Sequence, residues 1–384
     1  MQFLLYNSGI ISNYRPYRSE DLIHKQNLAM ALKSPTTKKK KFLNSINYFR
    51  GIAIVIIVLG HCYDLAHWNI SSNLEKLFYS FTLNGSVYFV FISGFLYRHI
   101  FYDRFDYKKF MLKKAQYVFI PYLVCSTLPI IYGVFIIEEK GFLPDSLVDK
   151  PLQAIGWYLI TGRIADTYWY VPMAMLLFAL SPVVNLIIKS GKVLQVSLFL
   201  LPISLLVHRP IDNINAVHSL IYYFPLYLIG IWTSINHQKI NSYLEDNKRK
   251  LILGLLALAL GIVQVWLLNS SGNFHKEFWS ITVPDVNLLQ KTLLCFLFMS
   301  ILNRYEQSDI GALKQTAATS FAIYFIHPLL IYPAYSILER LDIKFQGNFF
   351  TLILTSTLVL LASMAIAFAV KAIFKKNSRY LIGW

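Results

Sequence analysis

Residues 47–62 read N-Y-F-R-G-I-A-I-V-I-I-V-L-G-H-C, an apolar run with a guanidinium near its start and an imidazole near its end. A helix needs about 20 mostly apolar residues to cross ~30 Å of hydrocarbon, and this run, extended to 46–66, has that length. Nine further stretches follow, at 80–99, 115–137, 168–189, 192–208, 217–235, 251–269, 286–303, 316–338 and 349–374. The fifth of the ten, 192–208, is the shortest. The pattern predicts an all-α, polytopic membrane protein with about ten transmembrane helices. Prolines inside the spans (Pro129, Pro202, Pro225, Pro328, Pro333) are tolerated because neighbouring helices can satisfy the freed carbonyls.

Composition leads to the same class. Hydrophobic residues make up 56% of the chain, charged residues 15%, and the mean hydropathy is +0.48. One soluble core of 384 residues cannot hide that much apolar surface. Aromatics reach 16%, as expected where rings sit at lipid interfaces.

The formal net charge of +16 would suggest nucleic acid in a soluble domain. Here the charges sit between apolar runs, so no nucleic-acid partner is expected and orientation in the bilayer explains them. Alternate connecting segments, with the residues at their edges, hold 26 of the 36 Lys and Arg, against 8 in the opposite loops; Arg50 and Lys291 lie inside spans. Positive charge accumulates on the cytoplasmic side, which puts both termini there.

The expected organisation is a basic cytoplasmic segment at 1–44, one transmembrane domain at 45–376 and a short cytoplasmic tail at 377–384. Residues 1–44 lack a signal-peptide layout, because the positive charges follow the weak apolar start instead of preceding it. Lys38 to Lys41 abut the first span, as a topology anchor against anionic headgroups would. The stretch from Met30 onward reads as a natural start, with 1–29 as an extension. Neither an internal repeat nor an appended soluble domain is visible. Cys62, Cys125 and Cys295 lie in apolar segments at unrelated spacings, as small buried hydrophobes do, forming neither a disulfide framework nor a metal site.

The first span carries the chemistry. Arg50 and His61 are eleven residues apart, three turns plus ~20°, so both project from one helix face. They are ~16 Å apart along the axis, with Arg50 near the cytoplasmic boundary and His61 deep in the membrane. An ionisable group inside a span marks a functional site by default. A basic group at the mouth and an imidazole ~16 Å deeper suit a long ligand with a phosphate head and a reactive far end, the shape of acyl-coenzyme A. Each residue alone also has an ordinary reading: a snorkelling charge for Arg50, a buried imidazole bonded to a neighbouring helix for His61.

On these residues the chain resembles the membrane acyltransferase-3 family of acyl-coenzyme A-dependent O-acyltransferases, and within it the fucose O-acetylase-like and exopolysaccharide acetyltransferase branch. Its arginine-to-histidine signature is matched by R-G-I-A-I-V-I-I-V-L-G-H, from Arg50 to His61. The second span ends in F-V-F-I-S-G-F-L-Y-R, with Ser93, Gly94, Phe95 and Arg98, and K-K-A-Q-Y-V-F-I-P-Y holds Lys113, Lys114 and Pro121. W-Y-V-P (Trp169 to Pro172), Y-F-P-L-Y-L-I-G (Tyr223 to Gly230) and F-A-I-Y-F-I-H-P (Phe321 to Pro328) follow in family order, so the likeness covers 46 to 384. One departure stands out: three and four residues before the loop proline, where members often carry Arg or Lys, this chain has Val118 and Tyr117.

The resemblance implies a multi-pass protein of the cell (inner) membrane that transfers an acyl group, usually acetyl, from cytoplasmic acetyl-coenzyme A to a carbohydrate hydroxyl. An imidazole, with its ordinary pKa of ~6.5, suits the base such a weak nucleophile needs, so His61 is assigned as general base, with a transient acyl carrier as its alternative. Asp64, at i+3, could orient it as a triad carboxylate does, or be a solvated group at the outer end of the span. Arg50, Arg98, Lys113 and Lys114 would hold the donor phosphates, although ordinary positive-inside charge also explains the two lysines. His327 could meet substrate at a break in the ninth span, or make a structural hydrogen bond. Trp157, Trp169 and Tyr170 could stack a sugar ring, or form an interfacial belt. The competing class is a transporter or flippase for a glycan or lipid-linked sugar, which ten spans with buried polar groups would also fit. A glycan polymerase would call for larger outer loops than 138–167. Neither the acceptor, the identity of the acyl group nor the oligomeric state can be read from these residues.

Overall fold

The computed structural model describes residues 42–136, 143–343 and 345–384. Nearly all of them are helical. In chain order the elements are α1 (Asn44–His61), α2 (Asn73–Thr82), α3 (Ser86–Leu96), α4 (Tyr107–Lys114), α5 (Ile120–Ile131), α6 (Pro151–Thr161), α7 (Tyr170–Ala179), α8 (Ser181–Lys189) and α9 (Val193–Val207). Next come β1 (Arg209–Pro210), α10 (Ala216–Ile235), α11 (His237–Tyr243), α12 (Asn247–Ile262), β2 (His275–Lys276), α13 (Val286–Asn303), α14 (Gly311–Arg340), α15 (Phe349–Phe374) and α16 (Ser378–Leu381).

Every one of the ten apolar stretches is helical, but not every one is a plain span. Among the described residues, eight helices are long and apolar enough to cross a membrane. The stretch at 168–189 is instead α7 and α8, bent by 53° where Pro182 opens the second helix. The fifth stretch is α9, whose 15 residues give only ~22 Å. The chain is an all-α, multi-pass membrane protein. Lipid contact shows most clearly on α15, whose buried positions (Leu352, Ser356, Val359, Ser363, Ala367) form one stripe at helical spacing. Leu354, Leu358 and Leu361 on the same helix are exposed, an apolar surface that hydrocarbon solvates and water would not.

The tightest crossing joins α3 to α10. A Cβ on Gly94 would overlap the Tyr227 backbone, and one on Gly230 would overlap the Phe91 carbonyl. The glycines of two separate sequence motifs thus face each other's helix, each providing the space that lets the backbones touch. Gly51 does the same for α1, where a Cβ would come within 3.0 Å of the Leu313 carbonyl of α14.

The expected second span begins earlier than its hydropathy suggests and is interrupted. Between α2 and α3 the chain breaks at Leu83–Gly85, with Asn84 in the left-handed region (φ 57°), a conformation Asn tolerates. The break exposes carbonyls at the end of α2 in a buried place. Lys291, fully buried on α13, donates to the carbonyls of Ser80 (2.8 Å) and Phe81 (2.7 Å), and Asn287 Nδ2 also donates to Ser80 (3.0 Å). A lysine inside a span is thereby explained as a helix cap.

Residues 1–41 of the expected N-terminal segment lie outside the described residues. Residues 377–384, expected as a tail, fold back instead. Trp384 packs edge-on to Phe368 (5.1 Å), Cys125 Sγ meets the Leu381 carbonyl (3.3 Å), and Ser378 Oγ donates to the Trp384 carbonyl. Ile382 is buried and Leu381 and Trp384 are half-buried, while Asn377, Arg379 and Tyr380 are exposed. All three cysteines are free and buried.

A methyl group at the α3–α10 crossing has nowhere to go. Gly94→Ala should destabilise the protein by about 2 kcal/mol or more, read as a lower midpoint of heat-induced aggregation in detergent. Gly156→Ala, on α6 with no atom within 4 Å of the added Cβ, should leave that midpoint unchanged or raise it.

Candidate active site

His61 is the last residue of α1, and Cys62 caps the helix. Its ring faces that of His327 on α14, with centroids 5.6 Å apart and planes tilted by 50°. His327 precedes Pro328, which has no N–H to give the carbonyl four residues back. The Nδ1 of His327 lies 2.8 Å from the Ile323 carbonyl. Because a carbonyl only accepts, Nδ1 carries the hydrogen, and in the neutral ring Nε2 keeps its lone pair. That Nε2 is buried without a protein partner.

The two α1 residues Ile57 and His61 line a cleft with Phe321 and Tyr324 of α14, Ser86 and Phe89 of α3, and the segment Thr167, Trp169 and Tyr170. Its empty space, out to the open mouth, is ≈ 410 Å³. Most of its lining is aromatic, with few polar groups, the makeup of a small-molecule site. Tyr324 donates to the Thr167 carbonyl at 2.6 Å, while the Thr167 hydroxyl is buried without a partner.

The other expected site residues scatter. The helix stops at His61, so Asp64 is not one turn further along it. It lies in the following turn, exposed, and its carboxylate has no hydrogen bond or ion pair among the described residues. Trp169 lines the cleft but is only 3% exposed, stacked on Tyr223 (5.7 Å, 19°) with the Arg209 guanidinium over its ring at 4.9 Å. Its faces are engaged by protein. Trp157 lies on α6, edge-on to Tyr158, and is not among the lining residues.

Arg50, Arg98, Lys113 and Lys114 have separate surroundings. Arg50 bonds Asn47 through Nη2 at 3.1 Å, with its Nε buried and unpartnered. Arg98 pairs with Asp103 (3.0 Å) and lies over Tyr102 at 4.8 Å. Lys113 is exposed. Lys114 points its ammonium at three rings, those of Phe178 (4.2 Å), Phe101 (5.1 Å) and Phe110 (5.2 Å), a cage that satisfies the charge within the protein.

Three charged residues act on His61 that sequence reasoning passed over: Asp166, Arg209 and Arg163. Arg163 and Asp166 form an ion pair at 2.8 Å beside the cleft. A signal for the arginines was available. Both stand in connecting segments that the count of Lys and Arg assigns to the poorer side, where positive-inside charge would not explain them.

The sequence model of the acyltransferase-3 family, described as an acyltransferase domain, matches residues 43–372. The chain belongs to that family. It is also similar to a protein of Staphylococcus epidermidis named "Probable poly-beta-1,6-N-acetyl-D-glucosamine export protein", at 22% identity over 238 residues, 58% of this chain and 61% of the relative. The protein of the same name from strain ATCC 35984 matches to the same extent. The chain thus spans about three fifths of the length of the curated relatives it matches. No solved structure matches it. Within the family domain, the cleft gathers residues from four of the elements that carry the family-like motifs: α1, α3, α7 and α14.

The hydroxyl of Thr167 has no partner to lose. Thr167→Val should therefore melt within about 0.5 kcal/mol of the parent protein. Tyr324→Phe, which strands the Thr167 carbonyl, should cost about 1–3 kcal/mol in the same thermal assay.

Proposed function

We propose that the protein transfers an acyl group, acetyl in the simplest case, from cytoplasmic acyl-coenzyme A to a hydroxyl of a cell-surface or lipid-linked carbohydrate, with His61 as general base. The observation that carries this reading is His61 at the wall of an aromatic cleft within an acyltransferase domain, with the buried His327 imidazole against its ring. The acceptor hydroxyl gives its proton to His61 as its oxygen attacks the thioester carbonyl. A tetrahedral oxyanion forms, then the carbon–sulfur bond breaks, and the leaving thiolate takes the proton back from the imidazolium. No net proton is consumed.

The surroundings of His61 suit both halves of that step. The Nε2 lone pair of His327, buried beside the His61 ring and without a protein partner, can accept a hydrogen bond from His61. Asp166, ion-paired with Arg163, is the carboxylate whose charge reaches His61, the part first expected of Asp64. Ser86 begins α3, so the positive end of that helix dipole meets the cleft where an oxyanion would develop.

For the donor, we assign the phosphate contacts to Arg50, whose buried Nε lacks a partner, together with the exposed Lys113. Arg98 contributes only if it exchanges Asp103 for phosphate, and the caged Lys114 serves the fold. The membrane is the cell (inner) membrane, with both termini cytoplasmic, on the distribution of Lys and Arg.

The printed name of the relatives favours a second reading, movement of a glycan across the membrane. In that case the cleft would be part of a substrate path, and no coenzyme A compound would bind.

The protein, purified in nanodiscs, would be given radiolabelled acetyl-coenzyme A and candidate glycans. His61→Ala, with an unchanged melting temperature, should lose transfer by about 10²-fold or more; normal transfer would sink the general-base assignment. Arg50→Ala should raise the Michaelis constant for the donor, whereas Lys114→Met should leave it unchanged and lower the melting temperature. Glycan translocation in liposomes without any stabilisation by coenzyme A would favour the second reading.

A further inference from the structure

Arg209 is 4% exposed, in a place the chain takes some trouble to build. His208 before it adopts φ 57° and ψ −163°, a strained conformation for a residue with a side chain, and its Nε2 is fixed 2.7 Å from the Val283 carbonyl. Arg209 then pairs with His275 in the short parallel β1–β2 bridge, and its N–H donates to the Phe274 carbonyl at 3.3 Å. The backbone of Arg209 is held by two loops at once.

The guanidinium itself is incompletely satisfied. Nη2 donates to Asn213 Oδ1 at 2.9 Å and the group lies over Trp169, but Nε is buried with no partner. Among the described residues no carboxylate comes within ion-pair distance of it. Asp166 is taken by Arg163, whose side chain is 5% exposed. Asp285 is taken by the Tyr222 hydroxyl (2.7 Å) and the Leu288 N–H (3.2 Å). Two buried guanidiniums beside the cleft therefore share one carboxylate. The field they create is felt by His275, whose imidazole is pushed down to about 3 by burial and then by Arg209.

A buried guanidinium with an idle donor is costly unless an anion completes it, and its planar fork matches carboxylate and phosphate. Trp169 is the link: it carries Arg209 on its ring and lines the same cleft as His61. We propose that Arg209, supported by Arg163, is an anion subsite of this cleft, receiving a carboxylate or phosphate group of a transfer substrate. The inference rests on reading the cleft as the transfer site, and it deepens that reading: the carbohydrate or the transferred acyl group itself bears an anionic group, apart from the coenzyme A phosphates. The anion has two possible carriers, the carbohydrate or the acyl chain of the donor.

The test separates the carriers and does not depend on turnover. Binding to the full-length protein in phosphatidylcholine nanodiscs is measured by calorimetry for three matched pairs. These are methyl glucuronide against its methyl ester, N-acetylglucosamine 1-phosphate against N-acetylglucosamine, and succinyl-coenzyme A against acetyl-coenzyme A. The acidic member of at least one pair should bind about tenfold or more tighter. That margin should vanish in Arg209→Met, which keeps an apolar side chain over Trp169, and return in part in Arg209→Lys. A margin in either sugar pair assigns the anion to the acceptor, and one in the coenzyme A pair assigns it to the acyl chain. Absence of a margin in all three pairs, which needs no variant, overturns the proposal, as does a margin that survives Arg209→Met. Acetyl transfer is assayed in parallel: a margin without transfer overturns only the transfer reading, and transfer without a margin only this one.

Discussion

The contact between the backbones of α3 and α10 at Gly94 and Gly230 is the constraint the rest of the site depends on. In a bilayer there is no hydrophobic gain from bringing two apolar helices together, because lipid tails already solvate them. What remains is close packing, and it requires that side chains be absent at the point of approach. By fixing α3 against α10, the crossing sets where α3 begins, and so where Ser86 and Phe89 meet the cleft. It also fixes the start of α10, whose Tyr222 and Tyr223 bond Asp285 and Asn84, and Tyr223 supports Trp169 by stacking. Arg209 rests on the other partner of that stack, Trp169.

The polar interior follows from the same scarcity of water. Breaking a helix in a membrane frees carbonyls that only protein can satisfy. The break before Asn84 is met by Lys291 and Asn287, and Asn287 in turn bonds Gln264 and Gln290 (3.3 and 3.1 Å). These groups complete one another. His327 Nε2, the Thr167 hydroxyl and Arg209 Nε are left without a protein partner, the first beside His61, the second on a cleft-lining residue and the third on the guanidinium over Trp169. Other idle atoms lie elsewhere, at Ser126, Ser219 and Ser363, so it is position near the cleft that gives these three their interest.

The spans were legible because hydropathy is a one-dimensional property: ten apolar stretches became helices regardless of how they pack. The Arg50–His61 spacing was legible for the same reason, since both residues lie on one unbroken helix. Asp64 is expected one turn further along the same helix only if helical periodicity is carried three residues past the point where the chain leaves the helix. The surroundings of Lys114 and Trp169 were not legible for a different reason. A cation at a span end and a tryptophan near a face look alike in sequence whether they meet water, lipid or neighbouring rings. Three aromatic rings from separate elements decide the first, and Tyr223 with Arg209 decide the second.

Arg209 shows what kind of signal was available. Charge counts treated it as background, one of eight basic residues on the poorer side, although the poorer side is where a cation needs its own reason. The same logic applies to the carboxylate partner of His61, the base we propose. A carboxylate adjacent in sequence was the expected choice, but it would have to share the exposed turn in which Asp64 sits. Asp166 comes from a different loop, held at its backbone N–H by the Tyr332 hydroxyl (3.0 Å) and at its side chain by Arg163. A carboxylate anchored by α14, the helix that also carries His327, keeps a fixed relation to both imidazoles. A base that must gain and lose a proton in each cycle needs that fixed charge more than it needs a near neighbour in the chain.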